Sequence, residues 1–290
     1  MKIKTDVLKS IARIIAAPVL ILLAGILSVV TIYNHILSGA AEKRAYRLLA
    51  ESAMTQSVAM DERVRSSFRQ LDLIGAGLDW SGDIYSSESV LDDLKSFAAE
   101  SRFKTLAVAG KDGRMLYQNG SVVNCSDRLY LQKVLSGSEN IQFVSNGRMS
   151  GDKVFVFAVP VYAGEHVIGA VVATKTLGDI SRELESMGEK NKQYNFLCYE
   201  SGEVVAVPIG NALLIKPGDN IDDYFKGFRD ASETPEKTVN EYKCGDDEYY
   251  GIYTRSALDD IYIFSVADRK YISELAGTHN KLSVALVIVV

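Results

Sequence analysis

With 290 residues and a formal net charge of −5, the chain is long enough for one large domain or two small ones, and no basic block stands out as an electrostatic footprint for nucleic acid. Cys125, Cys198 and Cys244 stand far apart with no CxxC pair, and the histidines His35, His166 and His279 are scattered. With no HExxH, GxSxG or phosphate loop either, these patterns argue against a metal site, a disulfide framework, a cofactor and the common hydrolytic signatures.

The N-terminus carries the first positive information. Lys2, Lys4, Lys9 and Arg13 precede a run from Ile14 to Ala41 without a single Asp, Glu, Lys or Arg. That run exceeds the about 20 apolar residues that cross a bilayer, and its basic flank keeps residues 1–13 in the cytoplasm. We therefore expect a transmembrane helix over 14–37 rather than a cleaved signal peptide. At the other end, 281–290 (KLSVALVIVV) reads as the start of a second membrane helix cut short, which would leave residues 42–280 outside the cytoplasm.

From 38 to 79 helix formers dominate, and Val64, Phe68, Leu71, Ile74 and Leu78 recur at spacings of three and four. This predicts a long stalk helix with one apolar face. That face could serve a homodimer or the chain's own subdomains. Ser89–Ser101 predicts a second, shorter helix.

Strands then come in pairs. TLAVA (Thr105–Ala109), KDG and RMLYQ read as strand, tight turn, strand; NFLCY (Asn195–Tyr199), ESG and EVVAV repeat that grammar. The helix DRLYLQKVL is echoed by DDYFKGF, GDKVFVFAVPVY by GDDEYYGIYTRS, and VIGAVVATKTL by IYIFSVADRKY. Four matched elements at an offset of roughly 90–95 residues predict a tandem repeat. The expected class is α+β, with antiparallel sheets and helices to one side. The units are placed at 80–187 and 188–280.

This layout resembles the double Cache extracytoplasmic sensor domain of bacterial signal transducers, whose two subdomains are PAS-like. The resemblance covers about Ala40 to Lys281 and rests most on SDRLYLQKVLSG (Ser126–Gly137) and VFVFAVPVYAGEHVIGAVVATKTL (Val154–Leu177). It implies a small-molecule ligand in the distal subdomain, with Arg128 as the clamp on its carboxylate and Tyr130 as a neighbouring wall. An arginine suits that task because its planar fork meets a carboxylate with two parallel hydrogen bonds. Asp127 is the expected N-cap of the same helix and a candidate ligand neighbour. Amino-acid-binding members carry an aspartate on the last strand where this chain has Thr174, and a tryptophan where it has Tyr130. These departures favour a small carboxylate without an amine. Strand parity adds Phe143 with Ser145, and Phe155 with Phe157, as further wall candidates, core being the alternative for the phenylalanines; if Thr174 faces the pocket, Val172 does too.

The expectation is a sensing input module, with no enzyme in the residues given. Its output domain would be a diguanylate cyclase for preference, or a histidine kinase or chemoreceptor. A structural or partner-binding ectodomain is the alternative, and a membrane-anchored enzyme a more distant one.

Overall fold

The computed structural model describes residues 2–148, 151–188, 193–211, 213–225, 239–255 and 261–271. The expected second membrane helix, 281–290, lies outside them, as does the end of DDYFKGF. The chain divides into two compact units, Met1–Leu48 with Lys270–Val290, and Leu49–Arg269. In the first, the described backbone is the beginning of α1 (Lys2–Gly77) together with Lys270 and Tyr271, and Ile26, Val29, Ile32 and Ile36 are exposed on α1. Among the described residues no helix is long and apolar enough to cross a membrane. Most side chains of 14–37 are not among those described.

The second unit takes up the rest of α1. Leu49, Ala53, Met60, Val64, Leu71 and Ile74 are buried along one side of it, the stripe expected of an amphipathic helix. Then follow α2 (Glu88–Glu100), β1 (Thr105–Gly110), β2 (Arg114–Tyr117), β3 (Val122–Asn124), α3 (Leu129–Leu135), β4 (Asn140–Val144), β5 (Val154–Ala163) and β6 (His166–Thr176). These strands form one antiparallel sheet in the order β3-β2-β1-β6-β5-β4. After α4 (Leu177–Met187) come β7 (Gln193–Tyr199), β8 (Val204–Ala206), α5 (Ile221–Tyr224), β9 (Asn240–Cys244), β10 (Asp247–Arg255) and β11 (Ile261–Asp268). Their sheet has the order β8-β7-β11-β10-β9. It is the first sheet again without β3, so the tandem repeat read from the sequence is present as repeated topology. Both expected turns are built alike. Gly113 (φ +78°) and Gly202 (φ +86°) occupy the left-handed region that glycine enters freely. Each donates its N–H back across the turn, to Gly110 and Tyr199.

The face of both sheets toward α1 closes one apolar core. Val64, Leu71 and Ile74 of α1 belong to it with Val108, Phe155, Phe157 and Val171 of the first sheet, Ile180 and Leu184 of α4, and Leu197 and Ile263 of the second. The stripe Val64–Leu78 is thus covered by the chain's own sheets, the second of the two uses the sequence left open for it. Nearer the second sheet, the contact with α1 turns polar. Gln56 donates to the Met187 carbonyl at 3.0 Å and accepts from Gln193 and Ser265 at 3.3 Å. Ser52 joins the same network.

The opposite faces have separate cores. On the first sheet, Ala107, Ala158 and Ala170 are small enough for α3 to settle close through Leu131 and Val134. On the second, Phe225, Tyr242, Tyr249 and Phe264 pack edge to face.

Candidate ligand-binding site

The face of the first sheet away from α1 carries a cavity of about 30 Å³. Strand alternation selects its walls. From β5 come Val154 and Val156, from β6 Val172 and Thr174, and from β2 Met115 and Tyr117. Thr105 of β1 lies beside Thr174, their hydroxyls 2.7 Å apart. Arg128 and Tyr130 enter from the start of α3, and Val144, Gly147 and Arg148 from the end of β4 and the loop after it.

Arg128 is the residue at the N-cap position, in extended conformation and without a side-chain cap. Its side chain is therefore free to reach the cavity. One terminal nitrogen makes a long 3.5 Å contact with the Asn146 carbonyl. Its Nε is fully buried and has no hydrogen-bond partner among the described residues. A buried donor left unpaired costs about 1–3 kcal/mol, so this nitrogen invites an acceptor. Tyr130 is buried, with its hydroxyl 3.9 Å from the Met115 sulfur. Burial pushes the Tyr117 and Tyr130 phenols above their ordinary value, so both remain neutral donors. Arg148 donates to Asp127 Oδ1 at 2.5 Å. That bond holds the Asp127 carboxyl below its usual range. Among the described residues no carboxylate lines the cavity.

Of the residues expected from the sequence, Arg128, Tyr130 and Thr174 converge on the cavity, with Val172 beside Thr174 as parity required. Asp127 neither caps α3 nor lines the cavity; its partner is Arg148. Phe155 and Phe157 point to the opposite face, where Phe157 meets Phe68 of α1 at a centroid distance of 5.9 Å. Phe143 packs on Phe155 on that same face, and Ser145 is exposed. Sequence reasoning missed Val154 and Val156, each one residue out of step with Phe155 and Phe157, and it missed Met115 and Tyr117 of β2, where it named no candidate. It also missed Arg148, whose only local signal is its place in a glycine-flanked loop, GRMSG.

No family model matches the chain, and no curated protein does. Solved structures do. The sensory domain of the Campylobacter jejuni chemoreceptor Tlp3 with isoleucine bound superimposes with a TM-score of 0.66 at 11% identity, over 82% of this chain and 98% of that one. The ligand-binding domain of the Pseudomonas fluorescens chemoreceptor CtaA, in complex with L-isoleucine, gives 0.62 at 12% identity over 82% and 98%. That of the Pseudomonas aeruginosa amino acid chemoreceptor PctB, in complex with L-Arg, gives 0.61 at 16% over 78% and 95%. At these identities the likeness is one of fold, and the fold is the double Cache architecture: two tandem PAS-like units backed by one long helix.

Proposed function

We propose that this chain is the extracytoplasmic, small-molecule-sensing input module of a membrane signal transducer, and that its ligand is a small carboxylate held in the cavity beside α3. The observation that carries this reading is the buried Nε of Arg128, which lines a cavity with a second guanidinium and has, among the described residues, no hydrogen-bond partner and no carboxylate beside it in that lining. Nε and a terminal nitrogen together form the side of the guanidinium fork that takes a carboxylate with two bonds. The valines supply an apolar wall for a short chain. The structural neighbours are sensory or ligand-binding domains in complex with amino acids. Here the strand position expected to meet an ammonium is Thr174, bonded to Thr105, and an ammonium beside Arg128, with no carboxylate lining the cavity among the described residues, is costly to bury. The ligand we propose therefore lacks an amine. A diguanylate cyclase output draws no support from these neighbours, which are chemoreceptor domains, and a chemoreceptor output is the better-supported proposal. The basic flank before Ile14 supports a membrane anchor with residues 42–280 outside the cytoplasm.

Thermal shift and calorimetry on the whole chain in detergent test the site, with isovalerate and L-valine as a matched pair. Isovalerate should bind and L-valine should bind more weakly. Arg128→Ala should weaken isovalerate by roughly tenfold to a hundredfold, the loss of one charge-assisted contact of about 1.5–3 kcal/mol. Its thermal midpoint without ligand should hold or rise, because the variant no longer buries an unpaired donor. Unchanged affinity in this variant would overturn the assignment.

A further inference from the structure

Two arginines border the cavity, yet they differ in what they already hold. Arg128 has a buried nitrogen with nothing to bond among the described residues. Arg148 is engaged by Asp127, which stands outside the lining and is mostly exposed. The local charge is therefore two cations less one carboxylate, leaving one positive charge for whatever enters.

We propose that Asp127 sets the charge of the ligand, acting through Arg148, and makes the cavity selective for monocarboxylates over dicarboxylates. The inference rests on the reading of this cavity as a carboxylate site. A monocarboxylate meets Arg128 and neutralises the remaining charge. The second carboxylate of a dicarboxylate has to take the Arg148 guanidinium away from Asp127. That exchange replaces one carboxylate by another on the same fork and gains no bond. The incoming group loses its water, and the displaced Asp127 is a like charge nearby. Asp127 also has the advantage of belonging to the same chain, next to Arg128 and already placed, so its association with Arg148 needs no second molecule. Asp127 is thus a positioning residue: it touches no ligand and decides what Arg148 is free to touch.

Malonate and propionate have the same number of carbons and differ by one carboxylate, which makes them the probes. Calorimetry on the whole chain in detergent should show propionate binding more tightly than malonate. Asp127→Asn keeps the shape of the side chain and removes its charge. This variant should raise malonate affinity relative to propionate by about tenfold or more, because Arg148 then offers a free charged fork. Adding Arg148→Gln to Asp127→Asn should abolish the gain. A wild type that binds neither probe would overturn the carboxylate-site reading and this inference with it. A wild type that binds propionate, with an unchanged propionate-to-malonate ratio in Asp127→Asn, would overturn the inference alone. Equal weakening of both ligands is what a merely structural aspartate would give, and it too leaves the ratio unchanged and rejects the proposal.

Discussion

Gly169 owes its lack of a side chain to what lies on both sides of it. Trp80 sits over it, its indole N–H bonded to the Gly75 carbonyl at 2.9 Å, and a Cβ there would also meet the Ala109 carbonyl oxygen at 2.5 Å. Neither the ring nor the strand backbone has room to retreat. Gly169→Ala should lower stability by about 1–3 kcal/mol through overpacking, read as a shift in the urea midpoint with unchanged slope. Gly164, with open space around its Cβ position, is the comparison for steric crowding; its φ of +62° still favours glycine. Individual residues were also where sequence reading was weakest. β5 is buried at six successive positions from Val154 to Val159. Both faces of the sheet are covered, so no polar alternation marks the side that holds the cavity. Period two correctly paired Thr174 with Val172 and Phe155 with Phe157. It carried no sign saying which pair faced the ligand. Arg148 was further out of reach, because its meeting with Asp127 spans 21 positions and depends on how the β4–β5 loop folds back.

Among the elements, the long helix, the short helix after it, the paired strands and the tight glycine turns were all legible, because periodicity and turn chemistry are local. α4 was not. β6 passes straight into it at Thr176, with no loop between them to announce a change. The change is made by a capping box: the Asp179 N–H bonds the Thr176 hydroxyl at 3.1 Å, and the Thr176 N–H bonds the Asp179 carboxylate at 2.9 Å. The motif was readable as T-x-x-D. Thr176→Ala should cost about 1 kcal/mol. Burial acts to raise the Asp179 pKa, but the Thr176 and Arg182 bonds outweigh it and leave the carboxyl below its ordinary value of 3.8. A carboxyl depressed in the folded state contributes stability above its unfolded pKa, and loses it as pH falls through the depressed folded value. Acid unfolding should therefore steepen below about pH 4 in wild type. Asp179→Asn should be less stable at neutral pH and show a flatter acid limb, measured by urea midpoints across that range.

At the level of the molecule, the two sheets share a strand order but not the use of their outer faces. On the first sheet that face holds the cavity. On the second, the corresponding face is filled by the chain itself, with the Phe225 ring 5.3–6.0 Å from those of Tyr242, Tyr249 and Phe264. The repeat was legible because each unit marks its turn with a glycine and its strands with apolar runs. The difference in filling was not, since an aromatic side chain reads the same whether it plugs a site or lines one. Phe225→Ala should cost about 3–5 kcal/mol and leave a dry apolar void. Benzene should then raise the thermal midpoint of the variant and leave wild type unmoved, because only the variant has a place for it.

The two contacts of α1 have a mechanical consequence. Against the first sheet it rests on apolar side chains, and such contact has no preferred direction. A turn of a few degrees there breaks no hydrogen bond and works only against side-chain packing. Against the second sheet, Gln56 is engaged through both its oxygen and its nitrogen, and hydrogen bonds fail steeply when bent or stretched. The helix thus has a smooth bearing on the sheet that carries the cavity on its other face and a toothed one on the second sheet. Under the sensing role proposed above, a displacement of α1 that leaves the Gln56 bonds seated would be held at the second sheet, and one that unseats them would pass as a step with a threshold and not as a graded push.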